Sequence, residues 1–155
     1  MTILRAENIK KIYKSKMGTN QVEALSDINF SVEEGEFIAI MGESGSGKST
    51  MLNAIAGVWP VDSGSIMIDG IDVTRLSEYK RAKYLGRVFQ DPMTGTAATM
   101  EIEENLALAL RRGNSRTLRA GIKESERKQY RELLATLGLG LEDRMTSKVG
   151  LLSGG

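Results

Sequence analysis

The 155-residue chain contains no cysteine and no histidine. Without cysteine it has neither a disulfide nor a thiolate nucleophile, a composition compatible with a reducing compartment. Without histidine, no imidazole is present for catalysis, a point that bears on turnover below. Charge of one sign is lacking too. Lys+Arg 21 against Asp+Glu 20 leaves +1, so the global balance points to no nucleic-acid or membrane partner. Residues 1–7 hold no apolar signal core, and no hydrophobic run approaches the length of a membrane span. These absences leave a soluble cytosolic domain as the expectation. The 41% hydrophobic and 26% charged content fits one globular domain with a core.

What is present centres on Gly42-Glu43-Ser44-Gly45-Ser46-Gly47-Lys48-Ser49-Thr50, which matches G-x-x-x-x-G-K-[ST] at every fixed position. Phe37–Met41 precedes it as a short apolar run, the pattern of a buried parallel strand. Lys48–Ala56 follows as a helix, closed by Gly57 with Pro60 just beyond. Glycines without Cβ let the backbone curl with its N–H groups toward an anion, and the helix N-terminus adds partial positive charge. Lys48 would reach the β- and γ-phosphates, and the Ser49 hydroxyl would ligate Mg²⁺. This stretch predicts a nucleoside triphosphate site.

Around that loop, residues 3–13 alternate loosely and read as an edge strand, and Val22–Val32 reads as a second strand. Ser65–Gly70 alternates as a short strand after a turn at Asp62-Ser63-Gly64. Ser77–Tyr84 is helix-compatible with Ser77 as N-cap, and Leu85–Phe89 reads as a further strand ending at Gln90. From Thr99 the pattern is helical. Ile102, Leu106 and Leu110 share one face, as do Tyr130, Leu133, Leu134 and Leu137, with Gly138 as terminator. Arg111, Arg112, Arg116, Arg119, Lys123, Arg127, Lys128 and Arg131 form a basic stretch with one interleaved aromatic, Tyr130, which reads as a solvated face.

The guanine motif N-K-x-D and the switch motif D-x-x-G are absent, which argues against a GTPase. Leu152-Ser153-Gly154-Gly155 matches the opening of the L-S-G-G-Q signature, and with the upstream loop the chain resembles the ATP-binding-cassette (ABC) ATPases. Tyr13, 29 residues before Gly42, lies where that family places an adenine-stacking aromatic, and Gln90 matches the Q-loop glutamine. The resemblance covers essentially the whole chain. It implies an α/β fold, a P-loop NTPase core of RecA-like type with an antiparallel β-subdomain and an inserted helical subdomain. The expected division is 1–91 for the core with the β-subdomain, 92–151 for the helical subdomain and 152–155 for the start of the signature.

The same resemblance implies ATP and Mg²⁺ as cofactors, with Lys48 and Gln90 catalytic and Ser49 and Gln90 at the metal. Tyr13, Gly42 to Thr50, Ser153, Gly154 and Gly155 are the implied nucleotide contacts. A second copy would complete each site head to tail, the signature of one facing the loop of the other. A transmembrane permease would dock near Gln90 and the helical subdomain, with a solute-binding protein in the system and no nucleic acid. The location implied is the inner face of the cell membrane, held through the permease. Gly86–Pro92 and Ile102–Leu106 look most like the ATP-binding subunits of bacterial uptake systems, with tryptophan/tyrosine-type importers the nearest association. The alternatives are a soluble ABC ATPase acting on ribosomes or DNA, and a non-catalytic nucleotide-binding piece. The family pattern continues past residue 155 with an apolar strand ending in Asp-Glu and a switch histidine. Ile66-Met67-Ile68-Asp69-Gly70 does not supply the former, so these 155 residues are expected to bind nucleotide weakly at most and without turnover.

Overall fold

The computed structural model describes residues 1–14, 20–114 and 121–152. The chain divides into two compact units, Met1–Gly86 and Arg87–Gly155.

In the first unit, β1 (Thr2–Lys14), β2 (Gln21–Glu33), β3 (Ser63–Ile68) and β4 (Ile71–Asp72) form one antiparallel sheet in the order β2-β1-β3-β4. The expected edge position of the first strand is therefore corrected: β1 is internal, paired with β2 on one side and β3 on the other. Its loose alternation has a physical cause. The register shifts between Ala6 and Ile9, where Asn8 takes φ 51, so both Ala6 and Ile9 turn inward although they are three apart. The β3–β4 hairpin turns on Asp69 and Gly70, both with positive φ, as a two-residue reversal requires.

Helix α1 (Lys48–Ala56) carries the residues expected of it and buries Ala54 and Ala56. Ala54 joins Ala6, Ile9, Leu25, Ile66, Ile68 and Val73 in the core of this unit, with Met51 packed alongside. Gly57 ends the helix in the left-handed region at φ 81, its N–H donating to Ala54 O. The expected helix over Ser77–Tyr84 is a single turn, α2 (Glu78–Arg81); Ser77 stands at its N-cap without a side-chain bond.

Two expected strands are not strands. Phe37–Met41 and Leu85–Phe89 have no sheet partner among the described residues. A buried parallel strand needs hydrogen-bonded neighbours at its edges, and every described pairing here is antiparallel and made elsewhere. Phe37 is consequently 97% exposed and Val88 100% exposed.

The second unit contains α3 (Ile102–Leu110) and α4 (Glu124–Ala135). Glu104 accepts from the Glu101 N–H and Glu126 from the Lys123 N–H, each fixing a helix start. Ile102, Ala107, Tyr130, Leu134 and Met145 form the core. The apolar faces are narrower than the periodicity implied: Leu110, Leu133 and Leu137 are exposed, and Glu103 is buried in the α3 face instead. Glu103 receives the Arg127 guanidinium at 3.0 Å from both Nε and Nη2, which satisfies a carboxylate that water cannot reach. Helix α4 stops at Ala135, three residues before Gly138. Of the basic stretch, Arg111 pairs with Glu126 and Arg127 with Glu103 and Glu124, so these are helix-joining contacts as well as solvated ones. Arg116 and Arg119 lie outside the described residues.

Candidate nucleotide-binding site

The loop between Gly42 and Lys48 is shaped by its glycines. Gly45 and Gly47 sit at φ 87 and φ 89, a region L side chains rarely enter. At Gly47 space also decides: a Cβ there would stand 2.6 Å from Ala24 O and 3.2 Å from Leu25 Cδ2. A Cβ at Gly42 would meet Ser46 Oγ at 2.6 Å. Gly47 thus leaves no room for a side chain, while at Gly45 the backbone conformation alone favours glycine.

Gly47 is the N-cap of α1 and no side chain caps it. The first N–H groups of the helix, those of Lys48, Ser49 and Thr50, therefore lack intrahelical acceptors and lie at the positive end of the helix dipole. Lys48 turns back over the loop. Its ammonium donates to Gly42 O, to Glu43 O at 2.7 Å and to Ser46 Oγ at 3.3 Å. A cation beside a glycine-rich loop and the first N–H groups of a helix make an anion site, and phosphate suits it by charge. Ser49 lies exposed in the first turn, where its hydroxyl is free to meet an ion bound to those phosphates. Among the described residues, no group of three or more His, Cys, Asp or Glu could hold a metal by itself. The residues present fit a magnesium ion shared with a nucleotide.

Tyr13, at the end of β1, belongs to the same unit as the loop. Its ring meets Trp59 edge-on, centroids 5.6 Å apart at 89°, and the Lys11 ammonium lies 5.7 Å from its centroid. Gln90 is exposed at a bend in the second unit, just ahead of a 3-10 turn (Pro92–Gly95) that Asp91 caps by accepting from Met93 N at 2.9 Å. Gln90 and the loop thus fall in separate units. Ser153, Gly154 and Gly155 lie outside the described residues.

One residue of consequence has no signature. Arg81 is 1% exposed, and its guanidinium donates to Ala54 O at 2.7 Å, Ile55 O at 2.8 Å, Thr74 O at 2.8 Å and Leu76 O at 2.9 Å. It places a cation on the carbonyl end of the phosphate-loop helix. Burial pushes its pKa down, with Asp72 opposing. In sequence it stands in Lys80-Arg81-Ala82-Lys83, which reads as a solvated basic turn; its acceptors are backbone carbonyls that no side-chain pattern announces.

The glycine loop and the helix start behind it, with Lys48 and Ser49, define a protein of the phosphate-loop nucleotide-binding class. Comparison narrows the class. Residues 25–155 match the family model for ABC transporters, and the chain belongs to that family. It is 37% identical over 153 residues to a tyrosine transport ATP-binding protein of Clostridioides difficile (strain R20291), covering 99% of this chain and 60% of the relative. It is 43% identical over 114 residues to the bacitracin export ATP-binding protein BceA of Halalkalibacterium halodurans, covering 71% of this chain and 44% of the relative. Among solved structures it is similar to the dimeric bacterial ABC transporter cassette MJ0796, at TM-score 0.74 and 35% identity over 97% of this chain and 63% of that one. The cassette MJ1267 matches at TM-score 0.75 and 29% identity over 99% of this chain and 60% of that one. The architecture is that of the P-loop NTPase fold, and the chain spans less than two thirds of the length of these relatives. No described helix is long and apolar enough to cross a membrane.

Proposed function

We propose that these residues are the ATP-binding part of a subunit that hydrolyses Mg-ATP to drive import of an amino acid through a membrane permease. The observation that carries the reading is the Lys48 ammonium turned back over the glycine-rich loop at a helix start without a side-chain cap. Lys48 and the N–H groups of Gly45 to Thr50 bind the phosphates, Ser49 and Gln90 hold the metal, and Tyr13 stacks on adenine. Magnesium, when bound, neutralises charge on the phosphate oxygens. Gln90 links the site to the permease, which docks near it and the helical subdomain at the inner face of the membrane, with a solute-binding protein supplying the transported solute.

Two copies sandwich ATP, the Ser153-Gly154-Gly155 end of each facing the loop of the other. Support comes from MJ0796, solved as a dimer in a post-hydrolysis state bound to ADP and Pi. The tyrosine transport relative, matched along 99% of this chain, favours an amino acid as the solute. A second reading, export, is favoured by the bacitracin export relative and by the macrolide export ATP-binding/permease protein MacB of Aggregatibacter actinomycetemcomitans, 36% identical over 161 residues.

Calorimetric titration with ATP checks the binding claim. Residues 1–155 should bind ATP weakly, Lys48→Ala should abolish the binding, and neither protein should release phosphate in a steady-state assay. Lys48-dependent phosphate release would overturn the expectation of no turnover, and binding that ignores Lys48 would overturn the site. Labelled tyrosine uptake by cells that carry the full-length gene, against a deletion strain, separates import from export.

A further inference from the structure

We infer that Trp59 is a positioning residue for the nucleobase, holding the Tyr13 ring in register with the phosphate loop. The inference rests on the proposal that Tyr13 stacks on adenine. Trp59 is the chain's one tryptophan and is 37% exposed. Its backbone is fastened to the end of α1: Val58 N donates to Asn53 O at 3.0 Å and Trp59 N to the same oxygen at 3.5 Å. The phosphate loop opens the same nine-residue helix, about 13 Å long, so Lys48 at its start and Trp59, bonded just past its end, are linked through one helix.

Tyr13, by contrast, sits next to last in a strand whose neighbour Val22 is exposed. What ties that strand end to the helix is the segment around Trp59. Lys11 Nζ donates to Pro60 O at 2.6 Å, Ile12 N to Asp62 Oδ2 at 2.7 Å, and the Trp59 ring meets the Tyr13 ring edge to face. The Tyr13 hydroxyl is shielded and has no partner, so the ring is fixed by these contacts and not by a hydrogen bond of its own. A stacking platform contributes affinity only if it is held in place before the base arrives. Trp59 supplies that restraint.

The test compares ATP with inorganic tripolyphosphate, which has the phosphates and no base, by calorimetry on the 155-residue chain. Trp59→Leu should weaken ATP binding roughly five-fold while tripolyphosphate binding stays unchanged, and Trp59→Phe should keep most of the ATP affinity. Equal losses for both ligands, or no loss for either, would overturn the inference. Tyr13→Leu separates the two levels. If it leaves the ATP-to-tripolyphosphate ratio unchanged, the adenine role of Tyr13 fails; if it lowers the ratio and Trp59→Leu does not, only the role of Trp59 fails. Should Trp59→Leu not fold, the parent chain decides: Trp59 emission must shift with ATP and stay constant with tripolyphosphate. A parent chain that binds neither ligand overturns both.

Discussion

Single side chains in this protein differ in whether their polar atoms find partners. Tyr130 is buried in the α3–α4 core, yet its hydroxyl has none. Tyr130→Phe should therefore raise stability by about 1 kcal/mol, read from urea denaturation. Burial, with help from Glu126, pushes the Tyr130 phenol above the ordinary 10.0. The sign follows: the folded state favours the protonated ring, so stability is fully present below pH 10 and falls as pH rises through the folded value. Tyr130→Phe should flatten that alkaline loss, and an unaltered pH profile would refute the assignment. Glu33 runs the other way. The Thr2 hydroxyl and the N-terminal amine hold its carboxyl below 4.5, so its contribution is present above that pH and fades as acid protonates it.

At the scale of elements, α1 is the piece most legible in sequence, because every determinant is local: the glycines before it, its nine residues and the Gly57 stop. The neighbouring strands were less legible, since pairing partners and register depend on residues far away. The bulge at Asn8 erased the period that would have marked β1 as internal. Arg81 was illegible for the same reason, its acceptors Ala54 and Ile55 lying 27 and 26 residues away. Arg81→Met should cost about 3 kcal/mol, since it leaves several carbonyls without a donor in a dry site. Arg81→Lys should recover part of this, one ammonium replacing a fork. Thermal unfolding of the two variants checks the order; equal loss would show that packing alone matters.

For the molecule as a whole, the exposed apolar residues are the dominant feature. Phe37, Met41 and Val88 are almost fully solvated, although their local patterns read as buried strand. Sequence pattern reports what a segment needs, while structure reports whether the need is met. Exposed apolar segments of this kind invite association through their side chains. Sedimentation should show reversible, concentration-dependent oligomers, and Phe37→Lys with Val88→Lys should shift them toward monomer. A monomer at all concentrations would count against this. The candidate site was legible as a loop and illegible as an assembly: Gly42 to Thr50 form it locally, whereas Gln90 stands in another unit.

The crowding between Gly57 and Arg81 couples the two positions. A Cβ at Gly57 would come within 2.8 Å of Arg81 Nε and 2.9 Å of Arg81 Cδ. A larger residue at 57 therefore meets two obstacles, the left-handed backbone at φ 81 and the Arg81 side chain, and a change at 81 relieves only the second. Gly57→Ala in an Arg81→Met background should therefore cost less than in the parent chain but not nothing, read from thermal unfolding; an equal cost in both backgrounds would show that the backbone conformation alone demands glycine.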